Sequence, residues 1–140
     1  MKDDTFLFTI QKIIDKDSRF QPEAYSFIND AVVYTVSKIN AVRDREERHI
    51  SGLELLEGIK EFAISQFGPM AYEVLSNWGL KDSLSIGHVV FNMVDYQLLG
   101  KSKNDTISDF DNSFFLEEEL LKPFTPANPQ VNYTGKPVDI

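Results

Sequence analysis

Apolar residues recur along much of this chain at a spacing of three and four, which is the signature of helices with one buried face. Phe6, Leu7, Ile10, Ile13 and Ile14 make the first stripe, with Lys12, Asp15 and Lys16 off it. The pattern predicts a helix over about 4–15, capped by Asp3 or Asp4. Asp17-Ser18-Arg19-Phe20 breaks the pattern, and Pro22 suits the first turn of a second helix because its missing N–H is not needed there. That helix should reach about Arg43, with Phe27, Ile28, Ala31, Val32, Thr35 and Ile39 buried and Tyr25 and Tyr34 flanking them. Asp44-Arg45-Glu46-Glu47-Arg48 is charged throughout and reads as a helix end or an exposed loop.

Ser51 and Glu54 form the clearest start signal, a capping box in which hydroxyl and carboxylate each serve a free backbone N–H. The third stripe is Leu53, Leu56, Ile59, Lys60, Ala63 and Phe67, widened by Leu55, Phe62 and Ile64. Gly68 can end this helix and Pro69 open a short fourth one, with Met70, Val74, Leu75 and Trp78 inward and Gly79 closing it. Asp82 or Ser83 caps a fifth helix carrying Ile86, Val89, Val90, Met93, Val94 and Leu98, expected to run to Gly100. Gly58 and Gly87 fall inside helices, where glycine costs up to about 1 kcal/mol relative to alanine. Close helix packing would explain both.

After Gly100 the pattern weakens. Lys101-Ser102-Lys103-Asn104-Asp105 reads as a turn, Thr106 to Phe110 alternates like a short strand, and Phe114 to Leu121 allows one or two helical turns. Four of the six prolines fall in the last eighteen residues. The expected organisation is an all-α or nearly all-α domain over 1–122 with five main helices. It would be winged-helix-like if the β element forms, with an extended, Pro-rich tail over 123–140.

Composition narrows the chemistry. The chain has 140 residues, 42% of them hydrophobic, with eleven Phe, five Tyr and one Trp. A chain of this length buries roughly 68% of its unfolded surface, so it can hold a core without a disulfide or metal. Cysteine is absent, which removes thiol nucleophiles, Cys-based zinc sites and iron–sulfur clusters. The early residues carry no signal-peptide core, no apolar run has the length of a membrane span, and the cytoplasm is the expected compartment. A net charge of −8 disfavours broad contact with nucleic acid.

His49-Ile50-Ser51-Gly52 followed by Glu54-Leu55-Leu56-Glu57-Gly58-Ile59 resembles the opening of a family of small bacterial proteins with an HxSGxELLEGI signature. Phe67-Gly68, Met70, Val74-Leu75, Trp78-Gly79, Val90-Phe91-Asn92-Met93-Val94 and Asp109-Phe110 follow in the family's order. Phe20 and Tyr25 also fit, so the resemblance spans roughly 17–112. It implies a shared fold. It implies no activity, cofactor or catalytic residue.

The remaining motifs are each open to a structural explanation. The helix pair around Gly79, with the turn after Gly100, resembles a helix-turn-helix with a wing. Its second helix, from Leu84 to Leu99, offers His88, Asn92, Asp95 and Gln97 but no Lys or Arg, whereas base and phosphate contacts call for cations. Only Lys101 and Lys103 would supply them, so direct nucleic-acid binding is not expected, and a winged-helix-like DNA-binding transcription factor is the first alternative to the main reading. Glu46 and His49 make one Glu-x-x-His, where a di-iron bundle needs two such motifs and two further carboxylates. No metal or other cofactor is expected. A small enzyme built around His49 and Glu54 is the more distant alternative. Glu54, Glu57 and Glu61 sit close on one helix, but the capping box and Lys60 account for them.

The acidic-aromatic segment is the most suggestive. Asp105, Asp109, Asp111, Glu117, Glu118 and Glu119 are interleaved with Phe110, Phe114 and Phe115, and no Lys or Arg intervenes. Such a segment suits docking on a basic, partly apolar surface, with charge steering and aromatics anchoring. The other explanation is that its apolar residues fold back onto their own core. The expected function is a non-enzymatic accessory subunit or regulator. Its partner would be a larger assembly with a basic surface, such as RNA polymerase or the ribosome.

Overall fold

Six helices form where caps, prolines and apolar periodicity direct them. The computed structural model describes residues 4–43, 50–100, 110 and 116–124, and the statements below concern those residues. The helices are α1 (Asp4–Lys16), α2 (Pro22–Arg43), α3 (Gly52–Phe67), α4 (Ala71–Asn77), α5 (Ser83–Asp95) and α6 (Leu116–Leu121). No strand occurs among the described residues, so the fold is all-α there. Of the expected strand over 106–110 only Phe110 is described, and it lies in a 3-10 turn; of the expected extended tail over 123–140, Pro123 and Phe124 belong to a 3-10 turn over Lys122–Phe124, and the rest of both lies outside the described residues.

The Ser51 and Glu54 capping box forms as expected. Ser51 Oγ accepts from the Glu54 N–H at 3.1 Å, and the Glu54 carboxylate accepts from the Ser51 N–H at 2.9 Å. Asp82 caps α5 in the same way, its carboxylate accepting from the Ser85 N–H at 2.7 Å. The chain opens α4 through a 3-10 turn over Gly68–Met70 rather than with a helical turn at Pro69.

The end of α5 departs from expectation. The helix stops at Asp95, not near Gly100. Gln97 takes the left-handed conformation at φ 61°, the Leu98 N–H bonds to the Met93 carbonyl at 2.8 Å, and the Gln97 N–H bonds to the Val94 carbonyl. This is a Schellman closure built on glutamine where glycine is usual. Leu98 and Leu99 continue the helical spacing in sequence while already folded back in space.

α2 and α3 form the central pair. Phe27 meets Phe67, Tyr34 meets Phe62 and Thr35 meets Gly58, so numbers rise along one helix as they fall along the other. The pair is antiparallel. α1 and α5 pack on α2, while α4 and α6 pack on α3 and on each other. Tyr25, Ile28, Leu56, Ile59, Leu75, Leu80, Ile86 and Met93 are among the fully buried residues. Trp78 closes one end of the core, 5.7 Å from the rings of both Phe27 and Phe67. Its carbonyl accepts the Gln21 N–H from the α1–α2 link.

Some expected core positions face water. Leu7, Leu53 and Met70 are exposed by 52%, 60% and 54%. Each sits at the margin of its stripe, where a helix packed on few neighbours has nothing to cover it. Tyr25, expected on a flank, is fully buried. The internal glycines are explained by packing: a Cβ at Gly58 would lie 1.8 Å from Thr35 Oγ1, and one at Gly87 would lie 2.7 Å from Phe110 Cβ.

Candidate functional site

The acidic-aromatic segment divides into an inward and an outward part. Phe110 is 4% exposed, lies directly over Gly87 and sets its ring edge-on to Phe91 at 6.1 Å. Leu116 and Leu120, four apart on α6, are also buried. Glu119 turns inward as well: its Oε1 is 3.3 Å from Lys60 Nζ, which also reaches Glu57 Oε1 at 3.1 Å. Burial opposes the charge on Lys60, but the hydrogen bonds to Glu57 and Glu119 outweigh it and raise its pKa. Phe110, expected as a partner anchor, is therefore engaged with its own core, and Glu119 ties α6 to α3.

The outer face of α6 differs. Glu117 and Glu118 are exposed, and Leu121 and Phe124 continue the same side at 37% and 44% exposure. Two carboxylates beside two large apolar side chains form a compact strip. Asp105, Asp109, Asp111, Phe114 and Phe115 lie outside the described residues, as do His49, Glu46, Lys101 and Lys103. Among the described residues no group of three or more His, Asp or Glu side chains is placed to hold a metal ion. No described helix is long and apolar enough to cross a membrane.

α5 meets the requirements of a recognition helix poorly. Asn92 points inward, its amide donating to Asp17 Oδ2 at 3.0 Å and to the Tyr25 hydroxyl at 3.1 Å. Gln97 lies beyond the helix end. Of the four polar residues that would read bases, two are thus engaged or displaced.

Asp17 is a junction that the sequence reading treated only as a break. Its carboxylate accepts from the Arg19 backbone N–H, from the Arg19 guanidinium at 2.7 and 2.8 Å, and from Asn92. The Arg19 side-chain hydrogen bonds, helped by Asn92 and opposed by burial, hold the carboxyl well below the usual carboxylate range. The local part is legible as an aspartate turn. The bond to Asn92, across 75 positions, has no sequence signal. Tyr34 and Lys38 on α2 converge in the same way on Glu61 of α3, whose pKa is lowered first by the Lys38 hydrogen bond.

Because Asp17 has a lower pKa folded than unfolded, its contribution is fully present above about pH 4, the unfolded value, and is lost as pH falls further. Arg19 is 56% exposed, so water screens that limb, and the half-buried Asn92 bond carries more. Asp17→Asn should lower stability by about 1–2 kcal/mol at pH 7. The gap from the parent should narrow below pH 4, as read by urea unfolding across pH.

Compared with known proteins, the chain matches no family model, no curated protein and no solved structure. The fold and its exposed strip define, at the level of class, a small all-α domain with an acidic, partly apolar face.

Proposed function

We propose that this chain is a non-enzymatic interaction protein of the cytoplasm, an accessory subunit or regulator that docks on a larger assembly of the RNA polymerase or ribosome class. The observation that carries the reading is the outer strip of α6, where Glu117 and Glu118 flank exposed Leu121 and Phe124. Large side chains left in water beside fixed charge are what a basic, partly apolar partner surface would cover. The net charge of −8 favours the same partner by steering. Leu116, Leu120 and Glu119 hold the strip in place from beneath.

The test uses substitutions, because truncation after Gly100 would strip Phe110, Leu116 and Leu120 from the core. The full chain and a Glu117→Lys/Glu118→Lys/Phe124→Ser variant are used as bait in native lysate, with and without nuclease. The expected result is one large assembly retained by the parent, resistant to nuclease and lost by the variant. Equal retention by both, or no capture by folded parent, overturns the reading.

A further inference from the structure

α1 meets the rest of the domain through one side. Ile10 and Ile13 are buried, and Phe6 and Ile14 pack against the core beside them. At 3.6 residues per turn, Phe8 falls on the opposite side, and it is 64% exposed. Leu7 stands exposed next to it. Asp4 and Lys12, four residues before Phe8 and four after, share its outer face and are exposed too. The Lys12 ammonium lies 4.8 Å from the centre of the Phe8 ring. Among the described residues neither Asp4 nor Lys12 forms an ion pair.

The order acid, ring, base along this face is complementary to itself. When two such helices meet antiparallel about a twofold axis at Phe8, each Asp4 falls opposite the Lys12 of the other copy. The two rings meet at the axis. A contact between identical surfaces requires this kind of matching. A uniformly basic surface would oppose Lys12 and a uniformly acidic one would oppose Asp4, whereas a second copy satisfies both. We propose that this face binds a second copy of the chain, α1 against α1. One thirteen-residue helix covers less than the roughly 800 Å² per partner of a standard stable interface, and two copies of net charge −8 repel. The pair is therefore weak, with a Kd on the order of 100 µM. It uses none of Glu117, Glu118, Leu121 or Phe124, so it stands or falls apart from the α6 strip.

The test is sedimentation of the full chain over a wide range of concentration spanning that value. It is run in about 0.15 M salt, where charges screen one another over about 8 Å. The expected result is a monomer–dimer equilibrium, with amide shifts on dilution centred on Leu7, Phe8 and Lys12 in NMR. Phe8→Ser should weaken the pair at least about tenfold, the scale of one good contact. Asp4→Lys alone, or Lys12→Asp alone, sets like charges opposite one another twice per dimer and should also weaken it about tenfold. Both changes in one chain reverse the order of charges and should restore the parent's Kd to within about threefold. All these side chains are exposed, and melting curves check that each variant is folded. A monomer at every concentration would overturn the proposal, as would a dimer indifferent to Phe8→Ser or a double variant no better than the single ones. So would a chain that stays monomeric but binds lipid vesicles through Phe8, which would give the face to a membrane surface.

Discussion

Phe110→Ala should lower the unfolding free energy by about 3–5 kcal/mol, a drop of on the order of 10 °C in melting temperature. The ring is 4% exposed, lies over Gly87 and packs edge-on to Phe91. Removing it leaves a cavity that Gly87, with no side chain, cannot fill. The measurement is denaturant unfolding of the isolated protein, and it separates two roles that the sequence alone left level. An anchor reserved for a partner would leave the free protein's stability unchanged when truncated. A core residue would not. A variant that unfolds like the parent would return Phe110 to the docking surface and remove the reason for placing that surface on the outer side of α6.

Gly58→Ala is expected to lower stability by about 2 kcal/mol, although alanine is the better helix former by about 1 kcal/mol. The new Cβ would meet Thr35 Oγ1 at 1.8 Å and both Thr35 Cβ and Cγ2 at 2.8 Å. Rotating Thr35 does not clear the clash, because its own Cβ is too near. That residue is also held by its hydroxyl, which donates to the Ala31 carbonyl at 2.7 Å. The helices would have to separate. In a Thr35→Gly background the same change should be nearly neutral, so a double-mutant cycle should show a coupling of about 1–3 kcal/mol. Additive effects would mean that the helices shift apart at no cost, and the contact of Thr35 with Gly58 would not be what fixes their spacing.

Helix starts were the most legible feature of the sequence, because caps are local. Ser51 with Glu54, Asp82, and Pro22 act through neighbours three or four residues away. The end of α5 was misplaced because Gly100 carries the usual stop signal, while the chain turns at Gln97 under tertiary control. Gly58 and Gly87 were legible as close contacts, although Thr35 and Phe110 could not be named as the residues facing them. The pairing of α2 with α3 was not legible: Glu61 looked like part of a solvated face, and only the packing of the two helices sets it beside Tyr34 and Lys38. The acidic-aromatic segment was half legible: its acid–apolar mixture was plain, but Glu119 turns inward to Lys60 and Phe110 to Gly87, both far away in sequence.

Trp78 is the single tryptophan of the chain, and it sits where α2, α3 and the α1–α2 link converge, against Phe27 and Phe67. The molecule therefore carries its own optical reporter. Emission from this indole comes from one environment, so a shift to longer wavelength on unfolding reads the opening of the core's end directly and without a label. Tyrosine emission arises from five positions and averages over the fold. Comparing the two signals shows whether the end of the core near Trp78 opens together with the rest of the domain or before it.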